Sequence, residues 1–273
     1  MPEASKKIEA LKESGTVAIS DRARQMQQEG IDVINLGGGD PDFATPRHIV
    51  DAAFRAVEQG QTHYVASKGV PQMRQAVAAK FLKDNGVRYD PDTEILVTSS
   101  GKAALYMTIE AMLDAGDEML VLEPAWVSYR PLIELVGARP VGVSLEPGAG
   151  FAITRDVLEA SVSPRTKAIL VNSPNNPTGR VLNVEEAEAL RSFAIEHDLW
   201  VLSDEIYEKI CYDGRRHISL ASLPDMRERT VTVNGMSKSH AMTGWRLGYL
   251  GAPAALYSQI LKVQQHVLTC AAS

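Results

Sequence analysis

The residues of this chain most suited to chemistry are grouped around one lysine, Lys238. It follows the apolar run Val231-Thr232-Val233, and Arg246 comes eight residues later, where a second apolar run begins. A lysine held in a fixed place with a lowered pKa can condense with an aldehyde, and the planar guanidinium of arginine pairs well with a phosphate. A Lys and an Arg beside a Gly-rich turn are more often plain surface residues. A functional interpretation of this pair therefore depends on the other motifs of the chain.

Two further polar groups follow apolar runs. Asn176 lies among the turn formers of 172–179, which taken alone predict a loop, although an Asn before Pro can carry a cis bond that fixes its side chain. Its carboxamide could then donate to a phenolate-like oxygen. Asp204 is equally well explained as a helix N-cap, but a buried carboxylate there would keep a pyridine nitrogen protonated. Tyr207, about one helical turn later, could offer its hydroxyl to the same site.

A third group could hold the phosphate and the ring of such a ligand. The small residues Ser99-Ser100-Gly101, followed by Lys102, lie between an apolar run and a helical pattern. Backbone N–H groups at such a helix start bind phosphate, although the spacing does not match a nucleotide-binding P-loop. Trp126 follows the next apolar run and either packs in the core or stacks on a flat heteroaromatic ring.

These residues require a scaffold that brings the ends of several strands together. Seven apolar runs predict strands, and most are continuous, as expected for strands covered on both faces. The seven runs are 95–98, 119–122, 140–143, 168–171, 200–203, 230–233 and 247–250. Helical patterns at 102–114, 127–137, 155–161, 184–197 and 254–267 lie between or after them. This alternation predicts an α/β fold with a mainly parallel seven-stranded sheet and helices on both faces, with ligands at the carboxyl ends of the strands.

The beginning of the chain has a different pattern. Helical patterns at 17–29, 46–59 and 71–85 accompany one short strand candidate, Asp32-Val33-Ile34-Asn35-Leu36. We divide the chain into an N-terminal arm with a small-domain segment, 1–45, and a large cofactor-binding domain, 46–273.

Composition and motif searches exclude several other classes. The net charge of −6 argues against nucleic acid, whose binders usually show a basic patch. The six histidines and two cysteines are scattered without metal-ligand spacing, and no Gly-x-Ser-x-Gly hydrolase motif occurs. Without a signal-peptide pattern or an apolar run long enough to span a membrane, and with only two cysteines, we expect a cytoplasmic protein that contacts no membrane.

Three motifs, in this order, resemble those of a known family. They are Asn-Ser-Pro-Asn-Asn-Pro-Thr-Gly (172–179), Ser-Asp-Glu-Ile-Tyr (203–207) and Ser-Lys…Gly-Trp-Arg-x-Gly-Tyr (237–249). They are similar to the class I/II aminotransferases, which are fold-type I pyridoxal-phosphate enzymes, and most of all to the bacterial aspartate aminotransferase subgroup. The resemblance runs from about residue 15 to the last residue. It implies pyridoxal 5′-phosphate as cofactor, an amino acid such as L-aspartate and a 2-oxo acid such as 2-oxoglutarate as substrates, and a homodimer with shared active sites.

The resemblance also implies roles for individual residues. Lys238 would be the Schiff-base lysine and proton shuttle, Asp204 the partner of the pyridinium, and Tyr207 a third catalytic residue that, with Asn176, donates to the ring hydroxyl. Trp126 would stack on the ring, and the phosphate would be held by Arg246, Ser237 and the Gly101–Lys102 backbone. Tyr64 would reach the phosphate of the neighbouring subunit. Gly39, Trp126 and Asn176 would contact the substrate.

Two departures from the family pattern qualify these expectations. Gly235 stands where many relatives have a serine hydroxyl for the phosphate. Chains of the family also continue beyond the length of this one and complete the smaller domain, which carries the arginine that clamps the substrate α-carboxylate; no residue here matches it. Two alternatives therefore stay open beside an aminotransferase. One is a cofactor-binding fragment without turnover, and the other is a lyase or cyclising enzyme of the same superfamily.

Overall fold

One seven-stranded sheet organises the chain, which the computed structural model describes over residues 2–273. The strands are β1 (Ile95–Thr98), β2 (Glu118–Glu123), β3 (Arg139–Ser144), β4 (Thr166–Asn172), β5 (Trp200–Asp204), β6 (Thr230–Gly235) and β7 (Gly248–Gly251). They lie in the order β1-β7-β6-β5-β4-β2-β3. Strand β7 runs antiparallel to β1 and β6, whereas all other neighbours are parallel. The mainly parallel sheet and all seven predicted strands are confirmed.

Helices cover both faces of this sheet. Their bounds are α1 (Lys6–Glu9), α2 (Gly15–Gln28), α3 (Arg47–Glu58), α4 (Pro71–Lys80), α5 (Gly101–Met112), α6 (Tyr129–Leu135), α7 (Arg155–Glu159), α8 (Val184–Glu196) and α9 (Ala254–Val267). A π-helical turn, Phe81–Asn85, extends α4. No helix in the described part of the chain is both long and apolar enough to cross a membrane.

The core lies in layers above and below the sheet because the strands bury side chains in both directions. In β2, Met119 and Val121 join one apolar cluster with α5, α6 and α9, while Leu120 and Leu122 join a second cluster with α7 and α8. Side chains of successive strand residues point to opposite faces, so a strand covered on both faces must be apolar throughout. This explains the continuous apolar runs in the sequence.

The strand predicted at Asp32–Leu36 is wrong. These residues form no helix or strand, and Ile34 and Leu36 keep 85% and 90% of their surface exposed. A strand needs a neighbour to accept and donate its backbone hydrogen bonds, and 32–36 has no ladder partner among residues 2–273. A short apolar run alone does not reveal whether such a neighbour exists.

The segment before residue 46 contributes little to the core. Between residues 2 and 45 only Ala23 is buried. The sheet and the apolar clusters packed around it consist of residues after 70. The division of the chain at 45/46 stays a prediction.

Candidate active site

A cleft of about 400 Å³ opens at one edge of the sheet. All the predicted site residues except one line it. They are Gly39, Gly101, Lys102, Trp126, Asn176, Asp204, Tyr207, Ser237, Lys238 and Arg246. The exception is Tyr64, which lies outside this cleft with 89% of its surface exposed. Its expected contact with a neighbouring subunit stays a prediction.

The topology explains why residues so distant in sequence meet. Trp126, Asn176, Asp204 and Lys238 each lie at or just beyond the carboxyl end of a parallel strand, namely β2, β4, β5 and β6. The carboxyl ends of parallel strands share one edge of a sheet, where α/β proteins bind ligands.

Lys238 is half-buried and lines the cleft. Its Nζ donates to the carbonyl oxygen of Gly39 and lies 5.8 Å from the centre of the Tyr207 ring. Burial lowers the pKa of Lys238; Arg246 acts in the same direction, and the carboxylate of Asp40 opposes it. A lysine with a lowered pKa has a larger neutral fraction, and the neutral amine is the nucleophile and the base.

Asp204 is almost completely buried beside the cleft. Burial raises its pKa to about 6, and the nearby charge of Glu205 acts in the same direction. Two donors oppose this rise: Tyr129 Oη lies 2.8 Å from Oδ2 and the Ile206 amide nitrogen 3.2 Å from Oδ1. Burial, followed by the charge of Asp204, raises the pKa of Tyr129, so its phenol keeps the proton that it donates. A buried carboxylate that stays ionised near neutral pH is suited to a cationic partner.

Asn176 and Tyr207 converge from two different loops. Asn176 Nδ2 lies 3.4 Å from Tyr207 Oη, and the Asn176–Pro177 bond is cis. The loop is also held by Asn172, whose side chain accepts from the Asn176 amide and donates to the Asp204 carbonyl, at 2.8 and 2.9 Å. One carboxamide therefore joins the segments that carry Asn176 and Asp204.

Trp126 forms an aromatic wall. Its ring meets that of Tyr129 edge to face, with centroids 5.3 Å apart, and Lys102 Nζ lies 4.7 Å from the Trp126 ring centre. No carboxylate pairs with Lys102 among residues 2–273. The cleft therefore combines a flat apolar surface with an ammonium group available to an anion.

The start of α5 and the loop before β7 form a seat for an anion. The first turn of a helix leaves backbone N–H groups without partners, and these favour negative charge. Ser100 caps α5 by accepting from the Ala103 amide at 3.1 Å, and Gly101, Ser237 and Arg246 line the same cleft. Gly248 allows this packing, because a Cβ there would collide with backbone atoms of Ser100 and Gly101.

The position of Gly235 is equally restricted. A Cβ on this residue would lie 3.0 Å from the Leu247 carbonyl oxygen and 3.2 Å from both Gly248 Cα and Ile206 Cδ1. A serine there would require its neighbours to shift, so the absence of the hydroxyl agrees with the local packing.

The N-terminal segment closes one side of the cleft. Besides the Gly39 contact with Lys238, Thr243 Oγ1 donates to Asp40 at 2.7 Å, and Thr45 Oγ1 donates to the Ala241 carbonyl at 2.6 Å. Residues of α2 also line the cleft. Sequence reasoning missed the lining residues Thr16, Val17, Ser20, Arg24, Gly37, Gly38, Leu105, Tyr129, Ile206 and Thr243. None of them had a usable signal in the sequence; Tyr129, for example, lies in a helical pattern, which predicts core packing.

Two groups of acidic residues and a histidine lie close enough to hold a metal ion. They are Glu159, Glu196 and His197, and Glu205, Glu208 and His217. Each group already contacts a cationic side chain. Arg155 bridges Glu159 and Glu196, and Lys80 contacts Glu208. These contacts already occupy carboxylate oxygens in both groups, and neither group lines the cleft.

The family model for class I and II aminotransferases matches residues 31–273. The chain belongs to this aminotransferase family. An aspartate aminotransferase of Musicola paradisiaca is 46% identical over 258 residues, which are 94% of this chain and 64% of that relative. An aromatic-amino-acid aminotransferase of Thermococcus litoralis is 44% identical over 89% of this chain and 62% of its own length.

A solved structure gives the same assignment of fold. The aspartate aminotransferase of Thermus thermophilus, determined with maleate, superposes with a TM-score of 0.96 at 42% identity, covering all of this chain and 70% of the other. This member of the aminotransferase family therefore spans about two thirds of the length of its relatives.

Proposed function

We propose that this chain carries the cofactor site of a pyridoxal-phosphate-dependent aminotransferase, which moves an amino group from an L-amino acid to a 2-oxo acid. One observation carries the proposal: a lysine with a lowered pKa, a buried carboxylate and an anion seat line the same cleft. Each of the three serves a different part of one small molecule.

The residues present fit pyridoxal 5′-phosphate in their chemistry. Lys238 suits its aldehyde, Asp204 its pyridine nitrogen, and the start of α5 with Ser237 and Arg246 its phosphate. Asn176 and Tyr207 suit the ring hydroxyl, and Trp126 offers a flat surface for the ring. When bound, this cofactor supplies an electron sink that stabilises negative charge at the substrate α-carbon.

The side chains of the cleft would perform the proton transfers and hold the charges. Because burial favours the uncharged form of Lys238, its neutral amine would accept the proton from the substrate α-carbon, and the resulting ammonium could donate it again. The negative charge of Asp204 would favour a protonated ring nitrogen when the cofactor is bound. Burial, and secondarily the charge of Asp204, raises the pKa of Tyr207, so its phenol stays a hydrogen-bond donor.

An acidic amino acid such as L-aspartate is the proposed donor, with 2-oxoglutarate as the acceptor. The Lys102 ammonium, which lacks a carboxylate partner in the described chain, can receive a side-chain carboxylate over Trp126. The maleate of the Thermus structure is a dicarboxylate, which agrees with this. The aromatic surface of Trp126 also favours a second candidate, an aromatic donor, as the name of the Thermococcus relative indicates.

We extend the proposal to a homodimer in the cytoplasm. Helix α3 buries none of its residues, and Phe54 and Val57 keep 65% and 56% of their surface exposed. Together with the exposed Tyr64, this apolar surface would be covered by a second subunit. Cys211 and Cys270 are free thiols, which fits a reducing compartment.

Borohydride labelling of the purified chain tests the proposal directly. Reduction in the presence of pyridoxal phosphate fixes an aldehyde on the amine with which it has condensed, and peptide mass mapping locates it. We expect the label on Lys238, its loss in Lys238→Ala, and its retention in Lys262→Ala, which removes an exposed lysine of α9. A folded chain with no label on Lys238 would refute the assignment.

A second assay separates binding from turnover. Labelled L-aspartate and 2-oxoglutarate are added to the loaded chain, and transfer of the amino nitrogen to glutamate is measured. Transfer supports the aminotransferase. A labelled Lys238 without transfer identifies a chain that binds cofactor only, and release of ammonia or a cyclic product identifies a lyase or cyclising enzyme.

A further inference from the structure

Behind the cleft, a buried polar network holds the segment that follows β5. Residues 205–218 contain turns but no helix or strand. This segment nevertheless carries Tyr207 and directly follows Asp204. The placement of two proposed catalytic side chains therefore depends on how an irregular stretch of backbone is fixed.

Glu205 is the centre of this network. Its side chain is fully buried and accepts hydrogen bonds from four groups. Oε1 accepts from Ser203 Oγ at 3.0 Å and Ser219 Oγ at 2.8 Å. Oε2 accepts from Asn85 Nδ2 at 3.0 Å and lies 2.8 Å from His217 Nε2, which donates when it carries the ring proton. The donors come from β5, from the π-helical turn after α4, and from residues 217–219 at and just beyond the far end of the 205–218 segment.

The network also fixes the other end of the turn. Asn85 Nδ2 lies 2.8 Å from Glu208 Oε2, and Lys80 Nζ lies 2.5 Å from Glu208 Oε1 and 2.7 Å from Asn85 Oδ1. Tyr207 thus lies between two glutamates that share the same asparagine. Hydrogen bonds to a charged, buried acceptor are short and strong, and losing that acceptor leaves its donors unsatisfied.

The two sides of this turn face different surroundings. Asp204, Ile206 and Tyr207 line the cleft, whereas Glu205 does not. The backbone of this turn therefore directs Asp204, Ile206 and Tyr207 to the cleft and Glu205 to the network. An arrangement needed only for folding would not have to lie directly under the side chains that meet the ligand.

We propose that Glu205 is a positioning residue, which through its four buried donors fixes the turn that holds the Tyr207 hydroxyl beside Asn176. The inference rests on the proposed function for its chemical meaning. Glu205 touches no reacting group; it acts through Tyr207, and its negative charge also acts on neighbouring Asp204.

Hydrogen exchange in the cofactor-free chain tests the first part of the proposal, that Glu205 fixes the turn. In Glu205→Gln we expect the amides of 206–210 to exchange about tenfold faster, the effect of losing a buried charged acceptor. The matched control is Glu118→Gln, which removes an equally buried carboxylate, one that accepts from Ser163, Arg139 and Arg165 at the opposite edge of the sheet. This control should leave the exchange rates of the 206–210 amides unchanged. If Glu205→Gln does not fold, Ser219→Ala is used instead. It removes a single donor to Glu205 and should also speed the amide exchange of 206–210. Unchanged exchange at 206–210 overturns the proposal.

A double-mutant cycle tests the second part of the proposal, that Glu205 acts on the cofactor site through Tyr207. Pyridoxal phosphate affinity is measured by equilibrium dialysis for the unmodified chain, Glu205→Gln, Tyr207→Phe and the double variant. We expect Glu205→Gln to weaken binding about tenfold when Tyr207 is present and less than about twofold in Tyr207→Phe, because coupled neighbours are not additive. Equal losses in both backgrounds would overturn the positioning role. Failure of the unmodified chain to bind the cofactor would refute the proposed function instead, while hydrogen exchange still decides whether Glu205 fixes the turn.

Discussion

The hydrogen bond from Tyr129 to Asp204 should control the charge of the site. Asp204 accepts from two donors, and Tyr129→Phe removes the shorter bond while keeping the ring that packs against Trp126. A hydrogen bond to a charged group contributes about 1.5–3 kcal/mol. Since this bond favours the ionised carboxylate, its loss should raise the pKa of Asp204 from about 6 to about 7 or 8. At pH 7 half or more of the Asp204 carboxyls would then be protonated.

The assay is a carboxyl ¹³C NMR titration of the cofactor-free chain, with the Asp204 signal identified by its absence in Asp204→Asn. Cofactor affinity provides a second measurement. It should fall about two- to tenfold at pH 7, as the ionised fraction of Asp204 falls, and much less at pH 9, where Asp204 is mostly ionised in both chains. The control is Tyr257→Phe, because the buried Tyr257 hydroxyl has no partner within residues 2–273. An unchanged or lowered Asp204 pKa in Tyr129→Phe, or an equal rise in Tyr257→Phe, would refute the reasoning.

Three further variants test other parts of the site. Because the pKa of Asp204 is raised on folding, its stabilising effect is present at low pH and lost as pH rises through about 6. Cofactor-free Asp204→Asn should therefore be more stable than the unmodified chain at pH 8, by about 1–3 kcal/mol, with no difference below pH 4 in urea denaturation. Gly248→Ala should lower the denaturation midpoint and weaken cofactor binding, unlike Gly244→Ala, where a Cβ meets nothing within 4 Å. Lys102→Met should raise KM for L-aspartate about tenfold, the value of one charge-assisted contact, and leave KM for L-phenylalanine nearly unchanged; equal changes would contradict an acidic donor.

The strands could be predicted from sequence because a strand covered on both faces has a local signature. Val231 and Val233 bury into one cluster and Thr232 faces the other side, so β6 appears as an unbroken β-branched run. The run at 32–36 had a similar local pattern but no neighbouring strand. Whether a strand finds a partner depends on the whole fold, so a run of five residues does not reveal it.

Cleft residues could be predicted where a chemically reactive side chain directly follows a predicted strand, as Lys238 and Asp204 do. Tyr129 was missed because its role arises only from contact with Asp204, which lies 75 residues away in sequence. A tyrosine on a helix predicts core packing, and only the fold reveals that its hydroxyl reaches a buried carboxylate. The network at Glu205 was missed for the same reason, since its donors come from three separate segments.

The reversed direction of β7 explains how Arg246 joins the other groups. In an all-parallel sheet, the residue before a strand would lie at the edge opposite the cleft. Because β7 runs antiparallel to β6 and β1, its amino end lies beside their carboxyl ends, and Arg246 lies in the cleft with Gly101 and Lys238. The short link from Lys238 to Arg246 can therefore turn within one edge of the sheet. A parallel β7 would require a crossover connection of a dozen or more residues, and Arg246 would then lie a full strand length away from the anion seat.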